Sequence, residues 1–169
     1  ARVVYVDHDP IVLALSKSLL AGAPAGAAGY LHADLTAPYS ILESNCVRRI
    51  LDLSQPVALS LVSVMHFIPG SFRAHDLVAT LLSGLAPGSY LVMSHNTGDF
   101  DPLATYAAMR VYHSRGMPLQ LRSRTEFAAF FDGLDLVAPG IVVPHRWRPE
   151  GRPASLSDSA FSRAAKSSG

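Results

Sequence analysis

The chain has a single cysteine, Cys46, in 169 residues. No internal disulfide can form, and a reducing compartment, the cytoplasm, is the expected setting. Lysine is nearly missing too. Lys17 and Lys166 are the only two, and arginine supplies the rest of the 14 basic side chains. Against 13 acidic residues this leaves a net charge of +1. That is far from the concentrated basic surface that nucleic-acid phosphates require. The one basic cluster, Arg146, Arg148 and Arg152, reads as part of a solvated tail. Long apolar runs are also lacking. The best, Val57 to Ile68, is broken by serines and His66 and falls well short of the ~20 residues a membrane-spanning helix needs. There is no charged-then-apolar leader at the start, and no G-x-G-x-x-G, P-loop or G-x-S-x-G element anywhere. Those absences weigh against a hydrolase or a P-loop nucleotidase. The seven histidines show no H-x-x-x-H spacing and no cysteine partner, so no metal site is expected.

What is present is apolar material, 49% of the residues against 16% charged. One folded domain over residues 1–148 is expected, with a Ser-, Ala-, Pro- and Gly-rich tail over 149–169. Ala160 to Ala165 could form a terminal strand there. Val3-Val4-Tyr5-Val6 is continuously apolar and β-rich, as a strand buried on both faces would be. Asp9-Pro10 predicts a cap and first turn for a helix that stops near Gly22. Gly29 to His32 predicts a second strand. Ser40 to Glu43 has capping-box spacing and predicts a helix to about Leu51. Val57 to Met65 and Ser89 to Ser94 predict two more strands, with a helix over Ala74 to Leu85 between them. Asp101-Pro102 opens a helix to about Ser114, and Gly116 stops it. Ser123 to Glu126 forms another capping box, before Phe127, Phe130 and Phe131, and Gly133 ends that helix. Short strands at Leu134 to Val137 and Ile141 to Val143 follow. Strands and helices alternate at ~25–30 residues per unit, the size of a βαβ repeat. The expected class is α/β, a three-layer Rossmann-like domain with a mainly parallel sheet and late antiparallel strands.

Open α/β sheets bind ligands beyond the carboxyl ends of their strands, so the residues just after each strand carry the functional reading. Asp7 could accept two hydrogen bonds from a ribose diol. It could instead cap the next helix, but Asp9 fills that place better. Asp34 could accept from an exocyclic amine, with the Leu35 N–H facing a ring nitrogen, which would suit adenine. It could equally be a turn-forming Asp before Thr36 and Pro38. His66 could wall a pocket or accept a proton, although a buried histidine bonded to backbone is the commoner outcome. His95 stands in the same position, beside Ser94.

The strand ends together resemble a known family. Val-Val-Tyr-Val-Asp-His-Asp-Pro resembles the second strand and acidic loop of class I S-adenosylmethionine-dependent methyltransferases. Ala33-Asp34-Leu35 resembles their third-strand acidic position. Leu61 to Pro69 resembles the segment after their fourth strand, and Pro87-Gly88-Ser89-Tyr90-Leu91-Val92 their fifth strand. More narrowly, Asp7 to Leu13, Leu53 to Pro69 and Val137 to Pro149 are similar to a bacterial methyltransferase family long held as a domain of unknown function. The resemblance implies S-adenosylmethionine as cofactor. Asp7 would hold its ribose with His8 alongside, Asp34 and Leu35 would meet the adenine, and Ser63 to His66 would line the methionine end. The catalytic residues, the methyl acceptor and the oligomeric state stay open. The resemblance also implies that the first strand and its glycine-rich loop are missing here, so these 169 residues alone are expected to bind the cofactor weakly or not at all. Two other functions fit the same strand ends: a nicotinamide-dependent oxidoreductase and a non-catalytic Rossmann-like binding module.

Overall fold

Twelve helices and strands, with short 3₁₀ turns between them, are laid out in a computed structural model that describes residues 1–19, 27–148 and 161–167. The expected stop at Gly22 and most of the tail lie outside the described residues. Contacts divide the chain into two units, residues 1–57 with 76–86, and residues 58–75 with 87–169. Among the described residues no helix is long and apolar enough to cross a membrane.

In the first unit, β1 (Val3–Asp7) and β2 (Ala28–His32) form a two-stranded parallel sheet, with Asp7 opposite His32. Three valines and a tyrosine favour the extended chain of β1. Contrary to the expectation of double burial, Val3, Tyr5 and Val6 are each about two-fifths exposed. The physical reason is that β2 is the sole sheet partner of β1 among the described residues. Helix α1 (Pro10–Leu19) follows, and the side chain of Asp9 accepts the Ile11 N–H at 2.8 Å.

The single helix expected from Ser40 to Leu51 is instead two, α2 (Pro38–Leu42) and α3 (Asn45–Ile50). Pro38 starts the first one, which places Ser40 inside it and Glu43 at its end. Ser44 then caps the second, accepting the Val47 N–H at 3.1 Å. Ile41, Val47 and Ile50 are buried, each stabilising by roughly 1.5–3 kcal/mol. Gly29 lets α3 approach the sheet, since a β-carbon there would press on the end of Ile50 and lie 2.9 Å from the Cys46 sulfur.

The second unit holds a four-stranded sheet in the order β3 (Ala58–Val62), β4 (Tyr90–Asn96), β6 (Phe161–Ser167), β5 (Asp135–Leu136). The β3–β4 pair is parallel, and β6 runs antiparallel to both neighbours. The terminal strand is thus present and occupies an inner position. Strand β3 is shorter than expected, because the chain turns at Ser63 and enters a 3₁₀ turn over Met65–Phe67. Residues 141–143 form no strand; only Val142 makes an isolated bridge.

Helix α4 (Ala74–Ser83) connects β3 to β4. Helix α5 (Pro102–Ser114) starts as expected, with Asp101 accepting the Ala104 N–H at 3.0 Å and Pro102 in the first turn. Helix α6 (Arg124–Ala128) has the complete reciprocal box between Ser123 and Glu126. Gly116 follows α5 at φ +74, the left-handed geometry of a helix stop. The helix expected to run to Gly133 is shorter, because α6 passes into a 3₁₀ turn over Ala129–Phe131, and Gly133, also at φ +74, lies in the turn after it, where the Leu134 N–H donates to the Phe131 carbonyl. The core of this unit is built on Leu91, Met93, Met65 and Phe127, and Phe127 meets Phe130 and Phe131 with ring centroids 6.2 and 5.5 Å away.

Candidate functional site

The expected residues fall into two groups, one at the strand ends of each unit. In the first, Asp7 closes β1. Its Oδ1 accepts the backbone N–H of Asp9 at 2.8 Å and lies 3.6 Å from Nδ1 of the exposed His8. Oδ2 has no partner among the described residues, and the side chain is 36% exposed. Helix capping belongs to Asp9, so one oxygen of Asp7 shapes the loop and the other remains available. The loop is pinned from β2, where Nε2 of His32 donates to the His8 carbonyl at 2.8 Å. The next turn is built by Asp34. Its Oδ1 accepts the Thr36 N–H at 2.8 Å, and its carbonyl accepts the Ala37 N–H. The backbone and hydroxyl of Thr36 hold the Asp34 carboxyl below its ordinary range. The turn-forming role of Asp34 is therefore realised, and Leu35 sits half-buried within that turn. Asp7, His8, Asp34 and Leu35 are thus gathered at the carboxyl ends of two adjacent parallel strands, where such sheets place ligands.

In the second group, Ser63 follows β3 with φ +54. A non-glycine residue held there costs of order 1–3 kcal/mol, and such positions cluster at functional sites. Ser94 on β4 supports the turn. The Ser63 N–H donates to the Ser94 hydroxyl at 2.9 Å, and the two hydroxyls lie 3.2 Å apart. Ser63 itself is exposed, whereas Ser94 is buried.

Three residues after Ser63 comes His66, 4% exposed, with Nδ1 buried and unpartnered among the described residues. Its ring meets that of His95 edge to face, with centroids 5.6 Å apart. His95 is 1% exposed. Its Nδ1 donates to the Asn96 carbonyl at 2.7 Å, and its Nε2 accepts from Arg122 at 2.7 Å. Burial, with the Arg122 charge behind it, lowers the pKa of His66 to about 4. Burial likewise lowers His95 to about 4, with Arg122 and His66 adding to the effect and the Asn96 and Met65 backbone opposing it. Both rings are therefore neutral near pH 7.

Arg122 is the candidate side chain that the sequence does not reveal. It is 2% exposed and no carboxylate among the described residues pairs with it; Glu126 acts on it only through its field. Its guanidinium donates instead to the carbonyls of Met65 at 2.9 Å and Ile68 at 2.8 Å, and lies 5.3 Å from the Phe130 ring centre. Its partners lie 27, 54 and 57 positions earlier in the chain, so no local pattern could mark it. Among the described residues no three His, Cys, Asp or Glu side chains converge as a metal ion would need.

A family model described as S-adenosyl methyltransferase matches residues 1–167. The chain is 43% identical to a DUF574 family protein from Streptomyces avermitilis MA-4680, with TM-score 0.94, covering 99% of this chain and 65% of that one. A candidate methyltransferase from Thermobifida fusca YX is 32% identical, with TM-score 0.88, covering 99% and 63%. The chain therefore spans just under two-thirds of the length of these two relatives. The N-methyltransferase NodS from Bradyrhizobium japonicum WM9, in complex with S-adenosyl-L-homocysteine, is 11% identical, with TM-score 0.58, covering 99% and 66%. That last likeness shows the methyltransferase fold alone. No curated protein matches the chain.

Proposed function

Because this chain belongs to the S-adenosyl methyltransferase family, we propose that its protein binds S-adenosylmethionine and transfers the methyl group to an acceptor nucleophile. The observation that carries this reading, beyond family membership, is the Asp7 carboxylate. It ends a parallel strand, spends one oxygen on its own loop, and offers the other as an acceptor for ribose hydroxyls. His8 flanks it, and the Asp34–Leu35 turn on the neighbouring strand is the proposed adenine contact. Thr36 keeps Asp34 ionised, which suits it to accept from an exocyclic amine. In the second unit, Ser63 and His66 are the proposed contacts of the methionine end. The exposed Ser63 hydroxyl has Ser94 Oγ as its neighbour and can turn toward a ligand.

Transfer needs an in-line approach of the acceptor to the methyl carbon, so positioning is the main demand on the protein. The lone pair of the acceptor forms the new bond to that carbon. The carbon–sulfur bond breaks, its electrons stay on sulfur, and S-adenosylhomocysteine leaves. The test is calorimetry on the full-length protein with S-adenosylhomocysteine. Losing a charge-assisted hydrogen bond costs roughly 1.5–3 kcal/mol, so Asp7→Ala should weaken binding by about tenfold to a hundredfold. Unchanged affinity would remove Asp7 from the site, and no binding by the unaltered protein would sink the proposal.

A further inference from the structure

The segment 119–122 lies between α5 and α6 and crosses two strand-end loops. The Gln120 N–H donates to the His66 carbonyl at 2.8 Å, and the Gly70 N–H donates to the Gln120 side chain. The Arg122 N–H reaches the Asn96 carbonyl at 3.4 Å, and the guanidinium spans the Met65 carbonyl, the Ile68 carbonyl and the His95 ring. The loop after β3 is thus tied to the end of β4 by one buried cation and its neighbour. Arginine cannot give up its proton in a protein, so the bond to His95 has a fixed direction. Nε2 of His95 must be the acceptor, and Nδ1 must carry the hydrogen that meets Asn96.

We propose that Arg122 is a positioning residue for the methyl-transfer site, holding the Met65–Ile68 turn in place and locking His95 as the Nδ1–H tautomer. This rests on the reading of Ser63 and His66 as contacts of the methionine end. A core filler would not need this geometry. Burying an arginine without a carboxylate is costly unless its donors are matched, and the partners that match them here are the Met65–Ile68 turn and β4. A forked guanidinium can span acceptors that an ammonium, a single point of charge, cannot. The titratable and charged groups around His95 are Arg122 and His66, with Glu126 and His75 acting at the next remove through Arg122 and α6. The burial that depresses the basicity of His95 works in the same direction as the clamp.

The experiment uses the full-length protein, with nitrogen NMR of the histidine rings and calorimetry with S-adenosylhomocysteine. In the unaltered protein His95 should show a protonated Nδ1 and a bare Nε2 at pH 7, with no titration above pH 5. Arg122→Gln should raise the His95 midpoint, because the Arg122 charge helps to lower it, and should weaken S-adenosylhomocysteine about tenfold, the loss expected for one charge-assisted bond. Arg122→Lys keeps the charge but not the span, and should recover only part of that affinity. If Arg122→Gln does not fold, Arg122→Lys carries the test, with weakened binding expected. Finding the opposite tautomer in the unaltered protein overturns the proposal. So does normal affinity in the variants while the unaltered protein binds. No binding by the unaltered protein instead refutes the reading of the site, and the positioning role falls with it.

Discussion

Mild acid should destabilise this protein through two histidines. His66 and His95 are 4% and 1% exposed, and each is held at about 4 against an ordinary value of 6.5. Between those values the unfolded chain binds protons that the folded chain refuses. The stability contributed by the neutral pair is therefore complete above about pH 6.5 and declines as the pH falls toward 4. At pH 5 each ring sits about 1.5 pH units below its unfolded midpoint. At about 1.4 kcal/mol per pH unit, each costs roughly 2 kcal/mol. The two rings are neighbours of one arginine, so opening the loop for one proton eases entry of the next. The pair together should cost ~2–4 kcal/mol, a large part of the ~5–15 kcal/mol that holds a typical domain. Asp34 and Glu126 are both held below the ordinary carboxylate range by local hydrogen bonds. They stay ionised at pH 5, which leaves the window between pH 5 and 7.5 to the histidines. Urea unfolding at pH 7.5, 6 and 5 measures the effect. His95→Gln should flatten the pH dependence, because a glutamine oxygen can still accept from Arg122 without titrating. A free energy that changes by less than ~0.5 kcal/mol across the window, with a constant urea slope, would refute the reasoning. So would a ring titration centred near 6.5 for either histidine.

Two other expectations follow from packing and capping. Gly29→Ala would place a methyl group against Ile50 and Cys46, at a cost of about 1–3 kcal/mol from overpacking; an unchanged urea midpoint would show that α3 is free to shift. Ser123→Ala removes the acceptor for the Glu126 N–H and should cost ~1 kcal/mol, read as a lower melting temperature at neutral pH.

The parts of the fold legible in the sequence are those whose cause is local. Asp101-Pro102 and the box from Ser123 to Glu126 set their helices through bonds three residues long, and both stand where expected. The same box spacing at Ser40 misled, because Pro38 had already started a helix and Ser44 supplied the next cap. The continuous apolarity of β1 was read as double burial, yet burial depends on neighbours that spacing along one strand does not encode. Among the candidate site residues, Asp7 and Asp34 are legible because one ends a strand and the other lies in the turn just after one. The left-handed turn at Ser63 and the Arg122 clamp are not, since each is imposed by partners far away in the chain, Ser94 in the first case and the Met65–Ile68 turn in the second.

The position of β6 bears on how this protein is made. It is the last strand among the described residues, yet it lies between β4 and β5. As the chain leaves the ribosome, β4 can find β3 early, but its other edge must wait for residues 161–167. Until then an edge that begins at Tyr90 and ends at Asn96 stays open to foreign strands, the hazard that unpaired edges carry. The interval between making Asn96 and making Phe161 is about 65 residues, or several seconds at ~5–20 residues per second. Over that interval the nascent sheet depends on other cover, and a holding chaperone, or slow delivery of the last strand, should decide how much of the chain reaches its native form.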